Sequence, residues 1–485
     1  MVPLPDAPYL KSKLPQCYRG RDNCQGVDLD INPPSAFTWL VQNEDKSAED
    51  RGALIEPRIP KGFRDFLPEK EAERLSIVRK LQSVFERFGF LPIDTPVLEF
   101  AEVLLGKGGG ETDKEVYRFT DHGGRDVAMR FDLTVPFARF MAAHLEEVGL
   151  PFRRWHAAKV WRGENTQRGR YREFMQVDFD VVGTDSASAD LEILLLMRES
   201  LAALGMKSFT IRYAHRGAFN ACLARLGLEA RSVEVLRTID KQRKVGAEKT
   251  RELLAGIAGP AAASEILEFI RVEETPAATL RKLSRLVGDG VEAIARLSQV
   301  ASALDRLGIA GTFVLDPSIT RGLDYYTGIV FESFLGDLPD IGSVCSGGRY
   351  NDLASLYTKQ RLPGVGASIG LDRLMAAMEE LGLAGGSSAR SSVLVLFLDD
   401  SLIGVYHEIA QGLRAAGIAA EVYPEKKKLT HQFAYAEKKG IPLAVLYGAQ
   451  EAAAGTVTLK DLTSRESYEG LAPADLPGRA RELLR

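Results

Sequence analysis

The sequence predicts an α+β protein: an antiparallel sheet flanked by helices, with a helical insertion and a following small α/β unit. Three observations support this. Residues 155–182 contain two segments that can pair as a hairpin, and the second alternates apolar and polar side chains. Residues 217–308 are rich in Leu, Ala, Glu, Arg and Lys at helical spacing. Residues 393–447 alternate strand and helix patterns, which is typical of a mostly parallel sheet.

The composition is that of an ordinary soluble globular protein. The chain has 485 residues, a formal net charge of −4, 45% apolar and 26% charged residues. At about 100–200 residues per domain, roughly two to four domains are expected. The four cysteines complete no metal-site spacing or disulfide framework, although Cys17 and Cys24 could pair. With no bilayer-length apolar run and no signal-peptide pattern, we expect a cytoplasmic protein that does not enter a membrane.

The N-terminal part begins without a sustained pattern. Residues 1–56 are rich in Pro, Asp, Asn, Ser and Gln, so we predict a disordered or loosely docked extension. Helical spacing follows Pro68 and ends at Gly89, and residues 90–96 suit an edge strand. The glycine-rich residues 107–112 indicate a mobile loop more than a phosphate cradle, because no helix with a Lys-Ser/Thr pair follows.

Polar residues occupy one face of the second hairpin strand, and others begin the helix after residue 131. The strand face carries Phe174, Gln176 and Asp180, and a solvated sheet face is the ordinary interpretation. Asp132 and Thr134 lie near the helix start, where capping is the ordinary role for these residue types.

Three glycine-rich stretches, residues 321–332, 342–350 and 364–374, favour a ligand lying on the sheet. Glycine weakens a strand unless a ligand or another backbone must come close. Arg373 falls in the first turn of the next helix, where a cation opposes the helix dipole, so another task is indicated. A surface salt bridge is the alternative. Residues 384–392 read as a linker, and the lysines at 426–428, 438 and 439 serve solubility or bind nucleic acid.

These stretches together resemble class II aminoacyl-tRNA synthetases, and within them the histidyl-tRNA synthetase family. TPVLEF near Pro96 is similar to motif 1, residues 152–180 to motif 2 and GVGASIGLDRL to motif 3. RGLDYYTG and GSVCSGGRY resemble two signatures particular to the histidine enzymes, and residues 426–448 resemble their anticodon-binding domain.

The resemblance implies both a fold and a reaction. It implies a class II catalytic domain over residues 57–385, built on a six-stranded antiparallel sheet with residues 217–308 as a helical insertion. A C-terminal α/β anticodon-binding domain over residues 392–485 would follow. The enzyme would use ATP and Mg²⁺ to convert histidine to histidyl-adenylate, transfer histidine to the 3′ end of tRNA(His), and act as a homodimer.

Roles for individual residues also follow from the resemblance. Arg162 and Arg321 match the catalytic arginines on the α-phosphate of ATP, Arg170 and Arg373 the groups on its outer phosphates, and Glu164 and Phe174 the nucleotide contacts. Asp132, Thr134 and Gln176 match the residues that hold the α-amino group of histidine, and Asp180 and Tyr326 those that bond its imidazole. Tyr350 is expected in the same pocket. Many bacterial members carry Glu at the position of Asp132, and the Asp form is similar to eukaryotic-like members.

The residue types suit this chemistry. The attacking histidine carboxylate is already ionised at neutral pH, so activation requires no general base. It requires positioning and neutralisation of charge on the phosphates, which guanidinium groups and a divalent cation provide.

Two non-catalytic alternatives share this core. The regulatory subunit of ATP phosphoribosyltransferase generally lacks the C-terminal domain and an intact RGLDYYTG signature, both present here. Synthetase-like modules that only sense tRNA usually lose the active-site arginines, whereas Arg162, Arg321 and Arg373 are retained.

Deletion of residues 1–56 is expected to leave aminoacylation of tRNA(His) near normal, because the predicted catalytic and anticodon-binding domains begin after that point. Initial rates of the truncated and full chains, compared at equal concentration, check this. A large loss of rate in the truncated chain would assign the extension a role in the reaction.

Overall fold

The structure is a computed structural model that describes residues 55–106, 115–288, 290–319, 326–383 and 391–484. The chain divides into two compact units, residues 1–59 and 60–485. In the first unit, the described residues 55–59 are exposed. The predicted extension (apart from residues 55 and 56), the glycine-rich residues 107–112 and most of the predicted linker lie outside the described residues.

The first part of the larger unit alternates short strands and helices before a long hairpin. A proline in the first turn and acidic residues in that turn both favour the start of the first helix. Its elements are α1 (Pro68–Arg87), β1 (Leu91–Pro92), β2 (Leu98–Phe100), α2 (Ala101–Leu105), β3 (Arg118–Thr120), β4 (Asp126–Met129), α3 (Thr134–Val148), β5 (Phe152–Trp161), β6 (Glu173–Val182), α4 (Ala187–Ala203) and β7 (Phe209–His215).

Helices alone fill the described chain from residue 216 to residue 306, apart from a short 3-10 turn. They are α5 (Arg216–Arg225), α6 (Ser232–Asp240), α7 (Gln242–Val245), α8 (Ala247–Ala258), α9 (Pro260–Ile270), α10 (Pro276–Val287) and α11 (Glu292–Arg306). Strands resume with β8 (Phe313–Leu315), β9 (Ile329–Leu335), β10 (Cys345–Arg349) and β11 (Gly364–Gly370), and α12 (Leu371–Glu380) follows. This is the predicted helical insertion between sheet segments.

In the described part of the chain, a mixed eight-stranded sheet has the order β1-β5-β6-β11-β10-β9-β7-β8. The six strands from β5 to β7 are joined by antiparallel pairings, whereas β1 and β8 add parallel edges. The predicted six-stranded antiparallel sheet is therefore present, extended by one short strand on each side. A separate three-stranded sheet, β2-β4-β3, precedes the hairpin.

The core packs α1, α4 and the insertion helices on one face of the large sheet. Phe85, Phe179 and Leu196 are among its fully buried members. Phe85 and Phe179 bring their ring centroids within 5.1 Å. Phe179 belongs to the apolar set of the hairpin strand, so the alternation in β6 buries one face in this core and turns the other towards the site described below.

The C-terminal part contains strands and helices around a core of its own. Its elements are β12 (Val393–Val395), α13 (Ile403–Ala415), β13 (Ala420–Val422), α14 (Leu429–Lys439), β14 (Leu443–Leu446), α15 (Ala449–Ala454), β15 (Val457–Asp461), β16 (Ser467–Leu471) and α16 (Leu476–Leu483). The prediction of a mostly parallel sheet over residues 393–447 is confirmed for the strands in that range, because β12 pairs in parallel with both β13 and β14. Beyond the predicted range, the described strands β15 and β16 extend this sheet past β14 through antiparallel pairings.

No helix in the described ranges is both long and apolar enough to cross a bilayer.

Gly347 in β10 lies where any side chain would meet backbone of the neighbouring strand. A Cβ there would be 2.1 Å from Gly366 O and 2.5 Å from Ala367 Cα. Gly347→Ala is therefore expected to lower the free energy of unfolding by about 1–3 kcal/mol. Denaturant unfolding followed by the fluorescence of Trp155 and Trp161 in β5 measures the loss.

Gly256→Ala is the matched control, because Gly256 lies in α8 with no neighbouring atom within 4 Å of an added Cβ. This substitution should raise stability by up to about 1 kcal/mol through helix propensity. Equal effects of the two substitutions would contradict the close approach of β10 and β11.

Candidate active site

An open cavity of about 1030 Å³ lies on the polar face of the large sheet. Strands β6, β9, β10 and β11, the loop between β5 and β6, and the start of α12 contribute to its walls. Most of the predicted site residues share this cavity: Asp132, Thr134, Arg162, Glu164, Arg170, Phe174, Gln176, Tyr326 and Arg373 all line it. Arg321 lies outside the described residues, and Asp180 and Tyr350 lie behind the wall.

Arg162 is held at the end of β5 by backbone and aromatic contacts. Its Nε donates to Phe131 O at 2.9 Å, and its guanidinium carbon lies 5.2 Å from the centroid of the Phe174 ring. Its Nη1 is 3.7 Å from the carboxylate of Glu164, which also lies 3.4 Å from Arg170 Nη1. Glu164 thus partly neutralises two cations, and an anionic ligand would compete for both.

The loop between β5 and β6 brings Arg170 towards α12. Gln167 and Arg170 exchange backbone hydrogen bonds of 3.2 and 2.8 Å across a tight turn. Gly169 occupies this turn with φ of 69°, and a Cβ there would lie 3.3 Å from Arg373 Cα. Glycine therefore supplies both the left-handed conformation and the close approach of the loop to the helix.

Arg373 lies in the first turn of α12, as predicted. Its Nη1 donates to Ser343 O at 2.6 Å, which offsets the unfavourable position of a cation at a helix N-terminus. Arg162, Arg170 and Arg373 together make this part of the cavity cationic, which suits a polyphosphate.

Asp132 and Thr134 lie where β4 is followed by α3. Asp132 is 2% exposed, and its Oδ1 accepts a hydrogen bond of 3.1 Å from Val135 N. The capping interpretation therefore holds for Asp132, which at the same time lines the cavity. Thr134 begins the helix and also contributes to the wall.

Gln176 closes the buried side of the cavity. Its Nε2 donates to Ser368 Oγ at 2.8 Å, whereas its buried Oε1 has no hydrogen-bond partner among the described residues. A buried acceptor without a donor costs about 1–3 kcal/mol. An ammonium group of a ligand would satisfy this oxygen.

Tyr326 is held against β10 by close packing. Thr327 N donates to Arg349 O at 2.8 Å, and a Cβ on Gly348 would lie 2.9 Å from the Tyr326 ring. Gly348 in GSVCSGGRY thus makes room for Tyr326, so the described end of RGLDYYTG, residues 326–328, packs on the other signature.

Asp180 and Tyr350 differ from their predicted placement. The Tyr350 hydroxyl donates to Asp180 Oδ1 at 2.5 Å, and Asp180 Oδ2 is 2.7 Å from Arg154 Nη2. Both residues are fully buried, and neither belongs to the cavity wall. A direct bond from Asp180 to a ligand would require its carboxylate to turn away from these partners.

Arg154 is a buried cation beside the cavity that the sequence patterns did not single out. It is 0% exposed, its guanidinium lies 4.3 Å from the Phe137 ring centroid, and it faces the carboxylates of both Asp178 and Asp180. The signal was present in the hairpin register, because Arg154 lies directly opposite Asp180 once β5 and β6 are paired. We name Arg154, Asp178, Asp180 and Tyr350 the buried cluster.

The buried cluster has one cation for two carboxylates, which shifts their protonation. Burial raises the pKa of Asp178 to about 7, against the opposing charge of Arg154 and with a further contribution from Asp180. Burial also raises the pKa of Asp180, although Arg154 and the Tyr350 hydrogen bond oppose this. Ser368, which accepts from Gln176, also bonds Asp178, so the cavity wall connects to the cluster.

His156 lies opposite Asp178 in the hairpin but does not join the cluster as a charge. Burial, with Arg154 and Arg130 nearby, lowers the pKa of His156 to about 3. Its 2.9 Å contact with Asp94 is therefore a hydrogen bond of a neutral imidazole at pH 7 rather than an ion pair.

Two family models and several curated relatives match this chain over most of its length. The histidyl-tRNA synthetase family model matches residues 62–374, and an anticodon binding domain model matches residues 392–482. A histidine–tRNA ligase of Treponema denticola is 51% identical over 394 residues, which span 80% of this chain and 88% of that protein. One from Rhodopirellula baltica is 47% identical over 422 residues, 86% of this chain and 96% of that protein.

Solved structures show the same fold. The crystal structure of a histidyl-tRNA synthetase from a Nostoc species matches with a TM-score of 0.78 and 32% identity, over 88% of this chain and 100% of that one. A structure described as an ATP phosphoribosyltransferase regulatory subunit/histidyl-tRNA synthetase from Bacillus halodurans has a TM-score of 0.68 at 24% identity, over 79% of this chain and 97% of that one. At that identity the second match shows the fold alone.

Asp178→Asn is expected to change the pH dependence of stability. The folded-state pKa of Asp178 is raised to about 7 from 3.8, so between these values the folded protein holds a proton that the unfolded chain has released. The contribution of this bound proton to the free energy of unfolding is fully present below about pH 4 and is lost as the pH rises towards 7. Asparagine carries no such proton. The free energy of unfolding of the variant, relative to that of wild type, should therefore rise by more than about 1 kcal/mol from about pH 5 to about pH 7.5.

Denaturant unfolding of both proteins at the two pH values measures this gain. Asp305→Asn, at an exposed position near the end of α11, is the control. Its free energy of unfolding should differ from that of wild type by the same amount at both pH values. A pH-independent effect of Asp178→Asn would contradict the proposed protonation of the buried cluster.

Proposed function

Because the chain belongs to the histidyl-tRNA synthetase family, we propose that the cavity activates histidine with ATP and that the chain transfers it to tRNA(His). The chain is an aminoacyl-tRNA synthetase of the histidine–tRNA ligase type. The observation that carries the proposed site is the meeting, in one cavity, of residues from the hairpin, the RGLDYYTG segment and α12.

At the cationic end, Arg162 contacts the α-phosphate, and Arg170 and Arg373 contact the outer phosphates. The histidine carboxylate attacks the α-phosphorus, a new carboxyl–phosphate bond forms, and the bond to the β-phosphate oxygen breaks to release pyrophosphate. Arg162 stabilises charge on the transferring phosphate, whereas the other two stabilise the leaving group. Arg321 acts on the same α-phosphate, by resemblance. Phe174 stacks on adenine, and Glu164 exchanges its arginine contacts for contacts with the nucleotide.

Mg²⁺ would neutralise the outer phosphates when bound. No group of three or more His, Cys, Asp or Glu side chains that could hold a metal ion occurs among the described residues. The carboxylate of Glu332 lines the cavity and could contribute one ligand. Phosphate oxygens and water would supply most ligands, which is usual for Mg²⁺.

At the buried end, Asp132, Thr134 and Gln176 hold the α-ammonium group of histidine. The Oε1 of Gln176, which has no hydrogen-bond partner in the described part of the chain, supports this placement. Tyr326 bonds the imidazole from the cavity wall. Asp180 and Tyr350 act from behind that wall. A direct bond from Asp180 to the imidazole would require the Asp180 carboxylate to turn away from Arg154. A site that pairs both imidazole nitrogens rejects amino acids without them, because its buried groups would stay unsatisfied.

The second step needs the tRNA 3′ end at the same cavity. A ribose hydroxyl of the terminal adenosine attacks the adenylate carbonyl, an ester forms, and AMP leaves with its phosphate. The anticodon binding domain over residues 392–482 is the part of the chain that would read the other end of the tRNA.

A homodimer in the cytoplasm is the assembly and location we propose. Exposed apolar side chains accompany the motif 1 stretch: Val97, Leu98, Phe100 and Phe119 are 40–50% exposed on or beside the three-stranded sheet. A partner surface would cover them.

The non-catalytic alternatives are less well supported. The likeness to the regulatory subunit structure extends to the fold, whereas the relatives at 47–51% identity are histidine–tRNA ligases. The chain also retains the anticodon binding domain.

ATP–pyrophosphate exchange should depend on histidine and on no other standard amino acid. Arg162→Ala and Arg321→Ala are each expected to lower the exchange rate by about 10²-fold or more, because charge on the α-phosphate loses its stabilisation. Exchange with each amino acid, followed by aminoacylation of a tRNA(His) transcript, measures this.

Arg125→Ala is the control, because Arg125 is exposed and pairs only with Asp121 in its own turn among the described residues. It should leave exchange unchanged. Absence of exchange in a chain that still binds tRNA would favour the regulatory alternative.

A further inference from the structure

Residues 62–66, which we name the strap, pack beside the hairpin loop that lines the cavity and belong to none of the predicted site motifs. Gly62 O accepts hydrogen bonds from Arg172 N at 2.9 Å and Glu173 N at 3.3 Å, where the hairpin loop returns into β6. Gly62 has φ of 91°, and a Cβ would lie 2.7 Å from Arg172 Cγ. The strap therefore packs directly on the backbone that follows Arg170.

Arg64 in the strap joins two walls of the cavity. Its guanidinium carbon lies 3.3 Å from the centroid of the Tyr171 ring, and its Nη2 forms an ion pair with Asp372 Oδ1. Tyr171 belongs to the hairpin loop, whereas Asp372 lies in the first turn of α12. Both residues line the cavity, so one side chain holds its loop wall and its helix wall together.

Asp372 extends the connection to the central sheet. Its second carboxylate oxygen accepts from Met175 N at 2.7 Å, and its side chain is 4% exposed. A buried carboxylate with two such partners has a fixed direction. Arg64 is thus anchored to a rigid point rather than to a mobile surface group.

The residues held by Arg64 are sequence neighbours of the arginines assigned to the outer phosphates. Tyr171 follows Arg170, and Asp372 precedes Arg373. The side chain of Arg170 is 42% exposed and contacts Glu164 only at 3.4 Å, so its own contacts fix it weakly. The separation between the two arginines therefore depends on how the loop is held against α12.

We propose that Arg64 is a positioning residue for ATP, which fixes Tyr171 and Asp372 and thereby sets Arg170 and Arg373 at the spacing that the β- and γ-phosphates require. The inference rests on the proposed binding of ATP at these arginines. It adds a residue outside the class II motifs to the machinery of the first step.

The chemistry requires arginine at this position. A planar guanidinium can stack on the Tyr171 ring while its edge donates to Asp372, whereas a lysine ammonium retains the ion pair and loses the planar stacking. Arg64→Lys should therefore fall between wild type and Arg64→Ala.

The full chain carrying Arg64→Ala tests the proposal in the ATP–pyrophosphate exchange assay. We expect KM for ATP to rise about tenfold or more, because displaced phosphate contacts are costly in a positioning site. KM for histidine should stay within about twofold, since the histidine end is held by other residues. Arg64→Lys should show a smaller rise in KM for ATP.

Arg58→Ala is the matched control, because the Arg58 side chain is 82% exposed and its ion pair with Glu56 spans 3.9 Å. It should leave both KM values unchanged. Thermal unfolding of all variants separates positioning from stability: a merely structural role would lower the midpoint and change both KM values together, which would overturn the proposal.

A second variant and an ATP titration test the role of Arg64 where the first assay cannot be read. If Arg64→Ala does not fold, Tyr171→Leu removes the stacking face alone, and an unchanged KM for ATP would then overturn it. If the wild-type chain shows no exchange, the proposed function is wrong whatever the role of Arg64. Calorimetric titration of ATP into wild type and Arg64→Ala then tests that role separately. Weaker ATP binding by Arg64→Ala would support it, and equal binding would refute it.

Discussion

The burial of Arg154 constrains the whole active-site face of the sheet. A fully buried guanidinium is costly unless carboxylates compensate it, and here Asp178 and Asp180 lie within 3.8 and 2.7 Å. These partners come from the opposite strand of the hairpin, at positions that the β5–β6 register fixes. A slip of one residue would turn the aspartates to the apolar face, so the ion pair and the hydrophobic alternation specify the same register.

The glycine-rich strands follow from this burial. A Cβ on Gly366 would lie 1.9 Å from Asp180 Oδ1, and one on Gly364 would lie 2.3 Å from the Tyr350 ring. Strand β11 can therefore cover the cluster only without side chains at these two positions. The glycines that weaken the strand make room for polar groups beneath the cavity wall. The glycine-rich stretch that favoured a bound ligand is therefore also needed for packing.

Much of this could be predicted from the sequence, because alternation and helix spacing are local properties. The hairpin, the helical insertion and the placement of Phe174, Gln176 and Arg373 around one cavity follow from such patterns together with the family motifs. The inward turn of Asp180 could not be predicted, since it depends on Arg154 and Tyr350, which the chain brings close only through β5 and β10. The antiparallel end of the C-terminal sheet was missed because β15 and β16 are short, half-exposed strands with weak alternation.

The placement of polar and charged groups along the cavity supports one orientation for the proposed substrates. The loop and the start of α12 supply Arg162, Arg170 and Arg373 together with Glu164 and Asp372, whereas the buried end has Asp132 and the acceptor oxygen of Gln176. A zwitterionic amino acid would place its ammonium towards Asp132 and Gln176 and its carboxylate towards the arginines, where the proposed site holds the α-phosphate. In the proposed reaction, this arrangement would bring the attacking carboxylate oxygen towards the phosphorus.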